Sequence, residues 1–164
     1  MEPSRAPGVP EALFERHDRA IRLYLKRLTG DEDIARDLAQ EVFLRVVRAG
    51  PGYSGAAPEG AWLFRVARNV FLDHRRHSMR HPTEPLPLNA SARADQPLRL
   101  DLQQALETLP ALDRDVFLLC EIGGLSYAEI AETVQSTVPA VRSRVYRTRL
   151  ALRARLVPHW STHP

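Results

Sequence analysis

Cysteine is nearly absent. Cys120 is the only one, so no internal disulfide can form and no zinc-ligand spacing exists. Set in the apolar run Val116-Phe117-Leu118-Leu119, it reads as a buried structural thiol. No stretch approaches the ~20 apolar residues that a membrane span needs. Met1 to Pro10 lacks the apolar core of a secretory leader. These two absences predict a cytoplasmic protein with no membrane insertion. Gly-rich phosphate loops, metal-ligand clusters and nucleophile–base spacings are also missing, so neither an enzyme nor a cofactor or metal site is expected. Strand-like alternation and internal repeats do not occur.

Acids are missing from one long stretch. Between Thr133 and Pro164 there is no Asp or Glu, yet Arg142, Arg144, Arg147, Arg149, Arg153 and Arg155 all fall there. Glu11 to Glu41, by contrast, is rich in acids. The formal charge of +3 therefore understates how polarised the chain is. Among the basic residues Lys26 is the sole lysine. Arginine suits planar, bidentate contacts to phosphate, carboxylate and guanine, although a GC-rich genome raises its usage as well. With 44% hydrophobic residues the chain can pack a core, and its 164 residues suffice for one ordinary domain or two small ones.

Leu13, Phe14, His17, Ile21, Tyr24, Leu25 and Leu28 recur at helical spacing. Thr29-Gly30 ends that helix, and Asp31-Glu32-Asp33 suits the positive dipole end of the next. The second helix buries Ile34, Leu38, Val42 and Val46 and stops at Ala49-Gly50-Pro51-Gly52. A loop carrying Tyr53 follows. Pro58 fits the first turn of a third helix, which runs to about Ser78 and presents Trp62, Leu63, Val66, Val70 and Phe71. Pro82, Pro85, Pro87 and Pro97 then deny residues 81–98 a helix and predict a flexible linker. Beyond it, four helices are expected over Leu100–Leu109, Ala111–Ile122, Ser126–Val134 and Val138–Leu156. The expected architecture is all-α: residues 1–10 disordered, a helical domain over 11–80, the Pro-rich linker, a second helical domain over 99–157, and a tail over 158–164.

The last two helices carry the sharpest signal. Ser126-Tyr127-Ala128-Glu129 is a capping box. A turn follows at Gln135-Ser136, Thr137 can cap the next helix, and Pro139 fits its first turn. Val141 and Val145 point inward, while Arg142, Ser143, Tyr146 and Arg147 share an outer face. A capped short helix, a tight turn and an Arg-rich second helix describe a helix-turn-helix whose second helix enters the major groove. The bland alternative is a solvated terminal helix, but such helices usually mix charge signs.

Leu106-Glu107-Thr108-Leu109-Pro110, Arg114-Asp115-Val116-Phe117-Leu118-Leu119, Gly124-Leu125-Ser126-Tyr127-Ala128-Glu129-Ile130-Ala131 and Val141-Arg142-Ser143-Arg144 together resemble the C-terminal domain of extracytoplasmic-function sigma factors of the sigma-70 family. Asp37 to Arg45 resembles that group's polymerase-binding helix. Ala61 to Asn69, with Asp73-His74-Arg75-Arg76, resembles its promoter-melting helix. The resemblance implies bacterial core RNA polymerase, promoter DNA and an anti-sigma factor as partners. It assigns Asp37, Gln40, Glu41 and Arg45 to the polymerase surface. It assigns Tyr53, Arg65, Arg68, Asn69, Arg75 and Arg76 to the −10 element. Thr137, Pro139, Arg142, Ser143, Tyr146, Arg147 and Arg149 fall to the −35 element. Arg149, Arg153 and Arg155 lie further along and suit phosphate steering or plain solvation. Trp62 and Phe64 read as core as readily as base-stacking residues, and His74, His77 and His81 read as part of a basic tail rather than a zinc site. The family often has Leu-Gly in the turn where this chain has Val134-Gln135, and an apolar residue at Ser136, so this turn must reach its geometry without glycine.

Three other readings compete. A helix-turn-helix regulator that ignores polymerase leaves the Asp37 to Arg45 stripe unexplained. An enzyme lacks its constellation, and a decoy of a sigma domain does not need an intact basic helix. Limited proteolysis of the free protein is expected to cut first between Arg80 and Arg99, and resistance there would show the linker to be packed.

Overall fold

The computed structural model describes residues 9–49, 59–81 and 97–156. The Tyr53 loop, the run of linker prolines before Pro97 and the C-terminal tail lie outside them. Among the described residues there are seven helices and no strand. They are α1 (Val9–Thr29), α2 (Glu32–Ala49), α3 (Glu59–Arg80), α4 (Pro97–Glu107), α5 (Ala111–Glu121), α6 (Tyr127–Val134) and α7 (Val138–Leu156). The chain divides into two compact units, Met1–Arg76 and His77–Pro164, with the division inside α3.

In the first unit α1 packs along α2. Ile21, Tyr24, Leu25 and Leu28 are all buried, the i, i+3, i+4, i+7 spacing of one helical stripe. The turn between the two helices is built from its own side chains. Gly30 adopts φ 72°, and its N–H reaches the Lys26 carbonyl at 2.8 Å, a left-handed stop that glycine adopts without strain. Asp31 Oδ1 accepts from the amides of Asp33 at 2.9 Å and Ile34 at 3.0 Å, so Asp31 caps α2. Leu38, Val42 and Val46 are buried from α2, and Leu63, Phe64, Ala67 and Val70 from α3. Tyr24 meets Phe64 edge-on with centroids 5.3 Å apart, which settles Phe64 as a core residue. Phe14, expected in the core, is 46% exposed. Leu13 takes the inward direction instead, and Phe14, one residue round the helix, leans on the ring of Phe43 at 4.7 Å.

Two helices begin earlier than the sequence suggests. α1 starts at Val9, within the stretch expected to be disordered, and α4 starts at Pro97, within the stretch expected to be linker. Both starts have the same cause. Pro10 and Pro97 sit in first turns, where a missing N–H breaks no helical hydrogen bond. Proline there opens a helix rather than ending one.

In the second unit α7 packs against α4, α5 and α6. Its buried residues Val141, Val145, Thr148 and Leu152 form one stripe, facing a core that includes Leu106, Val116, Leu119 and Ile130. Burying each such aliphatic side chain stabilises by about 1.5–3 kcal/mol. Cys120 is a free thiol only partly buried. Burial pushes its pKa up, Glu121 adds to the rise and Arg149 opposes it, so it is held in its unreactive form.

The helix-turn-helix forms as its caps predict. The Ser126 hydroxyl accepts from the Glu129 amide at 3.2 Å, and Glu129 Oε2 accepts from the Ser126 amide at 2.9 Å. Thr137 Oγ1 accepts from the Ala140 amide at 3.3 Å at the start of α7. Between them, Gln135 takes the left-handed conformation, φ 55° and ψ 52°, and the Ser136 amide closes the turn on the Ala131 carbonyl at 2.8 Å. A non-glycine residue there carries about 1–2 kcal/mol of backbone strain, partly offset because glycine loses more entropy on folding. Gln135→Gly is therefore expected to stabilise the protein by up to about 1 kcal/mol, read as a higher midpoint in urea or thermal unfolding. A lower midpoint would mean that the Gln135 side chain contributes more than its backbone costs.

Candidate nucleic-acid interface

The stripe that α7 buries decides what it leaves exposed. Arg142, Ser143, Tyr146 and Arg147 are all exposed, as are Thr137 and Pro139 at the helix start. Tyr146 stands 64% exposed in the middle of that face. The six arginines of the acid-free segment do not behave alike. Arg144 Nη1 lies 2.6 Å from Asp113 Oδ1. Arg149 reaches Glu121 Oε1 with Nη2 at 2.5 Å and Nε at 3.2 Å. Those bonds to Glu121 outweigh the opposing effect of burial and hold the Arg149 guanidinium above its ordinary value. For Arg142, Arg147, Arg153 and Arg155 the salt bridges among the described residues include no partner. Arg149 thus stands apart from the residues it was grouped with. Its acid lies 28 positions away in sequence, and Asp113 lies 31 from Arg144, so no local spacing could announce either pair.

The first unit presents two further surfaces. On α2, Asp37 and Gln40 are exposed, while Glu41 and Arg45 are half-buried. Arg45 Nε binds Glu41 Oε1 at 3.2 Å, and its Nη2 binds Asp73 Oδ2 on α3 at 3.0 Å. Burial alone would lower the Arg45 pKa, but the bonds to Asp73 and then Glu41 prevail and raise it. On α3, Asn69 and Arg75 are exposed, Arg65 and Arg68 are half-buried and engaged within the protein, and Arg76 pairs with Asp73. Asp73 is the residue that sequence reasoning missed. It ties the α2 stripe to α3, and the sequence showed it only as a member of the Asp73-His74-Arg75-Arg76 motif, with no sign of its bond to Arg45. His77 and His81 bring their rings to 4.8 Å. Tyr53 lies outside the described residues.

A capped helix-turn-helix with an arginine-bearing outer face is the geometry of a DNA-binding module. Residues 99–152 match the family model for sigma-70, region 4, and residues 13–81 match that for sigma-70 region 2. The chain is 39% identical to the ECF RNA polymerase sigma factor SigE of Mycolicibacterium smegmatis over 94% of its own length, and it spans 64% of that relative. It is 34% identical to the ECF RNA polymerase sigma factor SigL of Mycobacterium tuberculosis, covering 88% of this chain and 87% of the other. The chain belongs to the ECF sigma factors of the sigma-70 family. Among solved structures, the sigma factor RpoE of Bartonella quintana, crystallised with the anti-sigma factor NepR, shares the fold with a TM-score of 0.76 at 24% identity. That match covers 89% of this chain and 95% of the other. CnrH, solved in complex with the cytosolic domain of CnrY, gives 0.70 at 27% identity, over 91% of this chain and 88% of the other.

The α2–α3 link makes a pH prediction. Hydrogen bonds from Arg76 and then Arg45 hold the Asp73 carboxyl below its ordinary 3.8. A lowered acid pKa stabilises the fold above the ordinary value and is lost as the pH falls through the folded-state value. Asp73 is 46% exposed, so the pair contributes no more than about 1 kcal/mol. Wild type and Asp73→Asn should differ by that small margin in unfolding midpoint at neutral pH and converge in strong acid. A difference that persists in acid would assign the effect to packing.

Proposed function

We propose that this sigma factor binds bacterial core RNA polymerase through α2, captures the −10 element with α3 and the Tyr53 loop, and reads the −35 element with α7. The observation that carries the reading is the outer face of α7, where Arg142 and Arg147 flank Tyr146 without acid partners among the described residues. Unneutralised guanidiniums beside a helix-turn-helix suit phosphate and guanine contacts. Asn69 and Arg75 are the accessible candidates on α3, with Arg65, Arg68 and Arg76 supporting the same surface. Arg76 has to share its guanidinium between Asp73 and any phosphate. On α2 the accessible polymerase contacts are Asp37 and Gln40. Glu41 and Arg45 complete the stripe while holding α3. The two domains of the reading are residues 11–80 and 99–157, joined by the linker over 81–98.

The same reading makes the chain a cytoplasmic, non-enzymatic factor that acts on the chromosome. It also gives the chain a protein inhibitor, an anti-sigma factor, in keeping with the complex in which RpoE was solved with the anti-sigma factor NepR. Among the described residues no helix is long and apolar enough to cross a membrane.

Reconstitution with core polymerase tests the reading. Asp37→Lys with Gln40→Lys leaves the Arg45–Asp73 bond intact, so helical content should not change. Affinity for core polymerase should fall about tenfold or more, the equivalent of about 1.4 kcal/mol. Unchanged affinity would remove α2 from the polymerase interface. Run-off transcription from a genomic promoter pool should depend on the added protein, and no promoter-specific product would reject the whole reading.

A further inference from the structure

We infer that Arg144 and Arg149 are positioning residues that set the roll of the recognition helix, and that they do not read DNA themselves. The inference rests on the proposed role of α7 at the −35 element. At 100° per residue, Arg149 lies about 70° to one side of the buried Val141–Val145–Thr148–Leu152 stripe and Arg144 about 70° to the other. Each reaches an acid on α5, and the two acids are eight residues apart, about 12 Å along that helix. Arg144 takes Asp113, near the start of α5, and Arg149 takes Glu121, at its end. The buried stripe sets which face α7 exposes, and one ion pair would still leave a small roll about that setting. Two pairs on opposite flanks, anchored at opposite ends of α5, resist both rotation and sliding.

Roll matters because base reading is geometrically narrow. A rotation of about 15° carries a side-chain tip roughly 1.5 Å at the helix surface, enough to take a hydrogen bond outside its 2.7–3.2 Å range. Arg149 uses Nε and Nη2 on one carboxylate oxygen, so the fork that would grip a phosphate or guanine is already occupied. Both arginines sit beside the buried stripe, whereas Arg142, Tyr146 and Arg147 lie farther round the helix. The acid-free segment therefore holds two kinds of arginine, and the acids of α5 sort them.

The test places the changes on α5, away from the DNA-facing side chains. Holoenzyme carrying the full chain is incubated with a promoter fragment pool randomised across the upstream element, and the selected sequences are read. Affinity for a scrambled duplex is measured in parallel over a salt series. Asp113→Asn and Glu121→Gln should each lower enrichment of the wild-type motif about fivefold or more, the lower end of what one base contact discriminates. Scrambled-duplex affinity and its salt slope should stay as in wild type. The swap Glu121→Arg with Arg149→Glu should restore enrichment, which a variant failing through misfolding could not do. Unchanged enrichment overturns the inference. So does equal tightening on all sequences with a salt slope steeper by about one, because the arginines would then be phosphate contacts masked by acids. If the wild-type holoenzyme selects no upstream motif at all, the −35 reading itself falls.

Discussion

The burial of one face of α7 is the constraint on which the rest of the C-terminal unit depends. Val141, Val145, Thr148 and Leu152 are withdrawn from water against α4, α5 and α6. A helix with one buried stripe has no freedom to choose its exposed one. The position of Arg142, Ser143, Tyr146 and Arg147 is thus a consequence of apolar packing on the far side of the same helix. The turn before α7 serves the same end. It holds Gln135 in a conformation glycine would adopt with less strain, so the angle between α6 and α7 is kept at some energetic expense.

Electrostatics refine what packing begins. The segment from Thr133 onward has no acid of its own, and read in isolation it looks uniformly basic. In the folded unit α5 supplies Asp113 and Glu121 to Arg144 and Arg149. The positive face that remains is narrower and better defined than six scattered arginines would make it. The Arg149–Glu121 pair is exposed and adds little to stability, whereas the Arg144–Asp113 pair is part-buried.

In the first unit the corresponding device is Arg45. It donates to two carboxylates, one a helical turn away at Glu41 and one on α3 at Asp73. The charged stripe on α2 is therefore continuous with the basic end of α3, since Asp73 also holds Arg76. Two surfaces assigned to different partners share one network of charges, and a change at either alters the electrostatic surroundings of the other.

Much of this was legible in the sequence. Helical periodicity placed most of the buried stripes of α1 and α2 and the inner positions Val141 and Val145 of α7, but on α3 it marks Trp62, Val66 and Phe71, which are only half-buried, beside the buried Leu63 and Val70. The capping box at Ser126 and Glu129 and the cap at Thr137 located the helix-turn-helix to within a residue, because caps are interactions between near neighbours. The turn itself is placed at Gln135-Ser136 by the sequence, while the αL conformation of Gln135 is seen only in the structure. The differences also have local causes: Pro97 reads as a breaker because proline at a helix start and proline past a helix end look alike without knowing where the helix lies. Phe14 falls on the helical spacing of α1 and so reads as core, but spacing alone does not say that it stands at the edge of the stripe, where it is 46% exposed. What the sequence by itself determined was what near neighbours along the chain set: the succession of helices, the caps at Ser126 and Thr137, and the acid-free charge of the last segment. What only the tertiary structure decided was which charges meet across 28 or more residues, Arg45 with Asp73, Arg144 with Asp113 and Arg149 with Glu121. Those pairings follow from how helices pack, and packing brings together side chains whose separation in sequence carries no trace of their contact.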